Sequence, residues 1–546
     1  MTVSDPTNPN AVSTLLVGFG IAAATVAAMV VSFPPALCSR PLDIDETVTH
    51  WVVDPRSPGG FWERATAYSA TPPGYFVALK LWLATGANCE MGYRVPSLLC
   101  HGIAALLVGI WVHRRAGAAA ALFAALLVAT HPLLRAQAVM ARPYAAAVLA
   151  SWTGFAASYS LATKGSSGRG WTVWIISAAA VVWCHYLFVL ALVPQVLLLI
   201  AGMIRRRLPV ASLLAACAVS FGLSIPLLPA VMRLWMRRQY LNWTPTPAPW
   251  SSLFEMVFPW LRPSTDALQA VGAVVSGGIV LFAIVRLLSP RHRPEGAVRQ
   301  VRAAALLFGL GVIPILLLWL VGHGGLPALA SSRYTTPAYP ILCAAVAIVL
   351  GALLPNRAIW IAAVTLCLAQ GAFEHTAHWR YALGTGSSTV PIWHDPDRWT
   401  AAGWKAACAQ LRNCRETDYL LVSSGLAEQT LVPVFFEDEI LHDYVTCRAT
   451  RFYLTGSEPR RIAVPAPWRP ELRLAVERRL RAAVRAAESS GRPLPSVFLL
   501  AATDTDVLRK RANQTLSVLT AAGWQVTRHQ AWNGVELFEC RFSQRR

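Results

Sequence analysis

Charge is what this sequence has least of. Only 14% of its 546 residues are Asp, Glu, Lys or Arg, while 55% are hydrophobic. An average soluble domain carries about 25% charged residues. The deficit is concentrated in apolar runs of roughly twenty residues, the length that crosses a bilayer core, which excludes a wholly soluble protein. Acids are the scarcer sign, 28 against 48 Lys and Arg, for a formal net charge of +20. A basic balance of that size raises nucleic acid as a partner. No compact soluble module carries the excess, however. It sits in short clusters between apolar runs, where it sets topology and attracts anionic membrane lipid. Basic residues are missing from Met1–Ser13. The run 14–32 therefore lacks the basic start of a signal peptide, and no clear small-residue cleavage site precedes Pro34-Pro35. It reads as a retained first helix. CxxC and HExxH patterns, a phosphate loop and a convincing internal repeat are all missing from the sequence. No motif calls for a cofactor, and a divalent metal is left open.

What is present organises as a polytopic α-helical membrane protein with a soluble α/β domain at its C-terminus. Apolar spans fall near 14–32, 95–112, 117–134, 139–162, 171–185, 186–204, 210–230, 268–288, 301–321, 337–354 and 357–374, about 11 spanning helices. The stretch 171–204 is divided only at His185-Tyr186, so two short helices and one kinked helix both fit. With the N-terminus inside, the inner connections collect Arg114, Arg115, Lys164, Arg205, Arg206, Arg207 and Arg299, with Glu295 the exception among acids. The positive-inside rule then places the first loop (33–94) and the tail (375–546) on the outer face of the cytoplasmic, or inner, membrane. Residues 1–374 form the membrane domain.

In the tail, DYLLVSS (418–424) and PSVFLLAA (495–502) read as buried strands. Residues 470–488 and 505–522 read as amphipathic helices, and 523–542 as a hairpin turning at Asn533-Gly534. Of eleven cysteines, Cys38, Cys89, Cys408, Cys414, Cys447 and Cys540 fall on the outer side. An even number in an oxidising compartment permits disulfides, and Cys38–Cys89 and Cys408–Cys414 are the pairings to test.

Chemistry-bearing residues gather at the outer ends of the spans. The first loop opens with DIDETVTH (Asp43–His50), three carboxylates within four positions at a membrane surface. An acidic cluster alone is more often a solvated loop start. Here TPPGYFVALKLW (Thr71–Trp82) follows, a rigid double-proline turn leading into an apolar helix too short to span, and then Arg94-Val-Pro-Ser opens the next span. Arg142-Pro143-Tyr144, His185-Tyr186 and Ser332-Arg333-Tyr334 sit at further helix ends. Interfacial Arg often snorkels to water. Several Arg converging at one depth favour an anion site, and a lipid phosphate is the anion found there. Lys80 and Arg64 are further basic candidates in the first loop, Arg233, Arg237 and Arg238 in a later one, with TPTPAPW (244–250) as a stiff candidate lid. The run EDE (437–439) with His442 and Asp443 reads as an acidic surface rather than a metal site.

In this order and topology, Asp45-Glu46, Pro72–Phe76, Arg94-x-Pro-Ser, Ala141–Tyr144, His185-Tyr186 and Arg333-Tyr334 resemble the lipid-linked-sugar glycosyltransferases of the GT-C fold. The branch is that of protein O-mannosyltransferases and lipid A aminoarabinose transferases, and the resemblance spans about 14–374. It implies a polyprenyl-phosphate sugar donor and a lipid, glycan or protein acceptor. It also implies Asp45, with Glu46 beside it, at the reaction centre. Donor or lipid phosphate would be bound by Lys80, Arg94, Arg142, Tyr144, His185, Tyr186, Arg333 and Tyr334. The residue chemistry agrees. A carboxylate accepts the proton of an attacking hydroxyl, and Arg donors stabilise the leaving phosphate. Two places depart from the pattern: Val139-Met140 stand where members often carry Gln-Glu, and Gly74 where a bulky apolar residue is usual. The competing class is a transporter or lipid-carrier flippase. Such proteins bind at mid-membrane on broken helices and often carry internal repeats, whereas the ionisable clusters here lie at the outer boundary. A polysaccharide polymerase or ligase would carry its large catalytic loop late in the chain.

Overall fold

The computed structural model describes residues 9–33, 38–67, 71–237, 253, 256–257, 297–324, 332–363, 365, 396–435, 437–449, 452–454, 459–532 and 534–543. The span expected at 268–288, most of that at 357–374, the 244–250 segment, Arg238 and Asn533 lie outside them. Two compact units result. One comprises Met1–Ser39, Leu81–Leu228 and Thr244–Trp393; the other comprises Arg40–Lys80, Pro229–Trp243 and His394–Arg546.

The first unit is a bundle of apolar helices. Among the described residues of the whole chain, five helices are long and apolar enough to cross a membrane: Glu90–Thr130, Tyr186–Ile204, Val210–Met236, Val298–His323 and Arg333–Leu353; all but residues 229–236 of these belong to the first unit. The first helix, Pro9–Ser32, also forms. Burial is ordered as lipid requires. Tyr339–Leu353 is buried on almost every side, whereas Val210–Ser224 presents Leu214 and Phe221, 64% and 69% exposed. Such bare apolar surface is the expected outer face of a membrane bundle.

Glu90–Thr130 is a hairpin. A straight helix of 41 residues would extend about 60 Å. Instead Gly117 leaves the helical region at φ +84°, and the chain folds back until His101 Nε2 lies 3.1 Å from the Ala129 carbonyl. The two arms meet at small residues. A Cβ on Gly109 would stand 3.0 Å from Ala125 Cβ and 3.1 Å from the Ala121 carbonyl, the close approach that packs helices where the solvent is itself apolar. The two spans expected at 95–112 and 117–134 are these arms. The ambiguity at 171–204 resolves into two helices. Gly168–Cys184 ends at an extended His185 (φ −157°, ψ 121°), followed by a 3-10 turn and Val193–Ile204. Trp174 Nε1 donates to Gln195 Oε1 at 3.1 Å across that turn.

Basic connections meet at one end of the bundle. Arg115 packs on Trp111 and Tyr159 with its guanidinium 3.5 and 4.6 Å from the ring centres. Its carbonyl accepts from Gln300 Nε2, and Arg207 Nη1 donates to the Thr163 carbonyl. The connections that the positive-inside argument groups on one side are therefore physically together.

The second unit is built on a five-stranded sheet: β1 Tyr419–Ser423, β2 Arg460–Ala463, β3 Val497–Ala502, β4 Trp524–Trp532 and β5 Val535–Phe542, in the order β2-β1-β3-β5-β4. β1 pairs in parallel with β2 and β3; β5 runs antiparallel to β3 and β4. Helix Pro470–Ser489 buries Leu472, Val476, Leu480 and Val484, a stripe at every fourth residue. With helix Asp506–Ala521 it covers one sheet face, over Leu499, Phe538 and Cys540. Helix Pro396–Gln410 covers the other through Trp404, Ala407 and Cys408.

The first-loop segment is packed on this domain. Trp51 Nε1 donates to Asp443 Oδ2 at 2.8 Å, and its ring meets Tyr444 at 5.0 Å. His50 meets Phe452 at 5.4 Å, and the Leu42 N–H donates to Tyr453 Oη at 2.7 Å. Both expected disulfides are corrected. Cys89 is an exposed free thiol whose Sγ accepts from the Gly92 N–H. Cys408 and Cys414 are free thiols buried in one apolar cluster with Trp404 and Leu411. Each sulfur is placed as a cap or a hydrophobe rather than as a cross-link.

Candidate active site

The predicted residues fall in both units. In the second, Asp43 is the N-cap of helix Ile44–Val53 and forms a capping box with Glu46: the Asp43 N–H donates to Glu46 Oε2 at 3.0 Å, and the Glu46 N–H donates to Asp43 Oδ1 at 2.8 Å. This D-x-x-E arrangement satisfies two helix-start donors reciprocally. It buries both carboxylates, Glu46 at 0% and Asp43 at 5% exposure. Asp45 lies between them in sequence and is half-buried. Burial, and then the negative charges of Glu46 and Asp45, push the Asp43 carboxyl up to about 7; Arg40 pulls the other way.

The helix's far end is held as firmly. Asp54 lies 3.4 Å from His50 Nε2 and 3.2 Å from Arg56 Nε. Burial would raise its carboxyl, but the adjacent His50 imidazole and the hydrogen bonds from Arg56 outweigh that and hold it well below its ordinary range. Arg64 is a buried clamp. It donates to the carbonyls of Val52, Asp54, Ser57, Pro58 and Gly59 at 2.6–3.4 Å, closing the loop after the carboxylate helix. Lys80 is exposed, its ammonium 4.7 Å from the Phe61 ring centre. Asp443 is engaged by Arg461 and Trp51, and His442 Nδ1 accepts the Ala463 N–H. In the acidic run before them, Asp438 caps the following helix and Glu437 and Glu439 are exposed.

In the first unit, three separate motifs converge. Tyr144, His185 and Tyr334 form a ring cluster with centroids 5.4 Å (Tyr144–His185), 5.2 Å (His185–Tyr334) and 6.4 Å (Tyr144–Tyr334) apart, and Phe188 stacks on His185 at 4.6 Å. Arg142 and Arg333 are the positive charges within electrostatic range of His185. His185 Nδ1 and Tyr186 Oη are buried and make no hydrogen bond among the described residues. Buried polar atoms are normally satisfied, so His185 Nδ1 within range of two guanidiniums marks a place for an acceptor-rich ligand. The Arg94 guanidinium is fully buried and donates from Nη1 to the Cys38 carbonyl at 2.7 Å, tying the exit of the first helix to the next span. Ser97, one turn on, donates to the Arg142 carbonyl at 3.0 Å.

Sequence reasoning passed over the segment just before Arg142. His131 stacks on Tyr339 at 4.3 Å, and Arg135, 5% exposed, lies over Phe33 at 5.6 Å. The available signal was a His and an Arg inside an apolar stretch. Val139 and Met140, at the departure from the family pattern, are buried, Val139 against Phe33 and Cys38.

No family model matches the chain, and no curated protein matches it in sequence. Solved structures do match. ArnT from Cupriavidus metallidurans bound to undecaprenyl phosphate aligns with a TM-score of 0.53 at 12% identity, over 94% of this chain and 97% of that one. The apo state of the same protein gives 0.53 and 12%, over 95% and 98%. The archaeal oligosaccharyltransferase AglB from Archaeoglobus fulgidus, in complex with an inhibitory peptide and a dolichol-phosphate, gives 0.35 and 11%, over 96% and 74%. The ArnT match extends along nearly the whole of both chains. The protein is a polytopic helical membrane protein of the GT-C fold.

Proposed function

We propose that this protein is a membrane glycosyltransferase. It moves a sugar from a polyprenyl-phosphate donor to an acceptor hydroxyl at the outer face of the cytoplasmic membrane, in one inverting displacement. The observation that carries the reading is the convergence of Arg142, His185 and Arg333: two guanidiniums within electrostatic range of a buried imidazole whose Nδ1 makes no hydrogen bond among the described residues, in a fold shared with a protein solved bound to undecaprenyl phosphate.

In this reading Arg142 and Arg333 hold the donor phosphate, and His185 and Tyr186 complete its coordination. Tyr144 and Tyr334 wall the cluster, and Lys80 contacts lipid phosphate. Asp45 is the base. The acceptor oxygen attacks the anomeric carbon as the bond from that carbon to the phosphate oxygen breaks. The hydroxyl proton passes to Asp45, and the electron pair leaves with the polyprenyl phosphate, whose added charge the guanidiniums stabilise. Glu46 and Arg94, buried and engaged, are positioning residues.

The test is turnover in membranes with labelled polyprenyl-phosphate sugars. The wild-type chain should release polyprenyl phosphate, and Asp45→Asn should be slower by about 100-fold or more. Wild-type turnover by Asp45→Asn would remove Asp45 as base. Lack of release by the wild-type chain from every such donor would reject the class.

A further inference from the structure

The sheet of the second unit carries a feature that glycosyl transfer does not itself use. Phe498, Glu539 and Arg528 lie in one row across β3, β5 and β4, and Leu500, Leu537 and Gln530 in the next. Alternation along a strand puts both rows on one face. Helix Pro396–Gln410 and the turn after it cover Leu500 and Leu537, but the chain turns away at Gln410–Arg415. A depression of about 590 Å³ is left there, floored by the Arg528–Glu539–Phe498 row and walled by Gln410, Asn413 and Arg415. That volume falls within the range of small-molecule clefts, about 300–1,000 Å³.

Its lining has a definite chemistry. Arg415 pairs with Asp418, and Arg541 with Glu539, each at 3.0 Å. These charges cancel. Arg528 is exposed on the floor and makes no side-chain hydrogen bond or ion pair among the described residues. The same holds for the side-chain amides of Gln410, Asn413 and Gln530. Planar amides present paired donors and acceptors, and a guanidinium adds donors only; together they complement adjacent hydroxyls on a sugar ring. Phe498 and Leu537 offer apolar contact to that ring's C–H face. The uncancelled Arg528 supplies bidentate recognition of a carboxylate or phosphate.

We infer that this depression is a binding site for an anionic sugar, one bearing a carboxylate or a phosphate group. The binding claim stands by itself; that the bound sugar belongs to the acceptor rests on the transferase reading above.

The test uses the full chain in detergent without donor, so that it does not depend on turnover. Binding of trigalacturonic acid, glucose 1-phosphate and neutral maltotriose is measured by calorimetry. At least one anionic probe should bind more tightly than maltotriose, and which one distinguishes a carboxylate from a phosphate ligand. Arg528→Gln should weaken that binding about tenfold or more while leaving the thermal midpoint unchanged, since the side chain is exposed. Gln530→Ala should weaken it as well. Failure of both anionic probes to bind at millimolar concentration, equal affinity for maltotriose, or wild-type affinity in Arg528→Gln would each overturn the proposal.

Discussion

Asp43 and Glu46 hold each other through two reciprocal hydrogen bonds, 3.0 Å from the Asp43 N–H to Glu46 Oε2 and 2.8 Å from the Glu46 N–H to Asp43 Oδ1. Two of the three carboxylates that mark the first loop are thereby committed to starting the helix that carries the third. The roles of Asp45 and Glu46 can be separated on that basis. Glu46→Gln keeps an acceptor oxygen for the Asp43 N–H and should retain turnover to within a few-fold. Glu46→Ala loses the box, should cost about 1 kcal/mol of stability or more, and should lose activity further. A proton acceptor at Glu46 would instead make both variants equally inactive. Unfolding curves run beside the transfer assay distinguish these outcomes.

The raised carboxyl of Asp43 predicts a pH dependence. Its folded value of about 7 stands above the ordinary 3.8, so the folded chain binds this proton more tightly than the unfolded chain. The contribution is fully present below about pH 4 and is lost as pH rises through about 7. Asp54 has the opposite sign: its stabilisation is lost only in acid, below its ordinary range, outside that window. Thermal unfolding between pH 4 and pH 8 should therefore flatten in Asp43→Asn, which keeps an acceptor for the Glu46 N–H but cannot ionise. An unchanged slope would assign the titration to another group.

Arg142 and Arg333 should matter to the leaving group. A guanidinium that stabilises charge developing on phosphate acts more strongly in the transition state than in the ground state. Arg142→Gln and Arg333→Gln should each lower kcat/KM for the donor about 100-fold, with kcat carrying much of the loss. A change confined to KM would mean that these residues bind donor without assisting departure. Tyr334→Phe, which keeps the ring against His185, should stay near wild type.

Much of this was legible in the sequence because the membrane simplifies the problem. Apolar length and basic connections predicted the arms 95–112 and 117–134, and Gly117 turns the chain between them. The short apolar runs 418–424 and 495–502, read as buried strands, became β1 and β3. Arg142-Pro143-Tyr144, His185-Tyr186 and Arg333-Tyr334 could be named as one group because they recur at span ends of the same predicted side, where several Arg at one depth favour an anion site. What could not be read was partnership. Nothing local says that Arg64 closes on five carbonyls, that Arg94 reaches Cys38, or that Trp51 meets Asp443 some 392 residues later. Strand β2 was missed because Arg460-Arg461-Ile462-Ala463 is half charged; only its pairing with β1 makes it a strand. The capping box was readable, since Asp43 and Glu46 stand at its spacing, but three acids side by side drew attention to charge instead.

The corrected cysteines give a prediction that needs no substrate. Cys89 is exposed, whereas Cys408 and Cys414 are buried and their thiols are pushed up to about 12 by burial. The thiolate is the reacting species. In the native protein a soluble maleimide should therefore modify Cys89 at least about 100-fold faster than either buried thiol. Cys89→Ser should remove the fast phase, and denaturant should bring Cys408 and Cys414 up to a common rate. Peptide mapping without reductant should recover Cys408 and Cys414 as separate alkylated peptides. Recovery as a linked pair would restore the bridge between them.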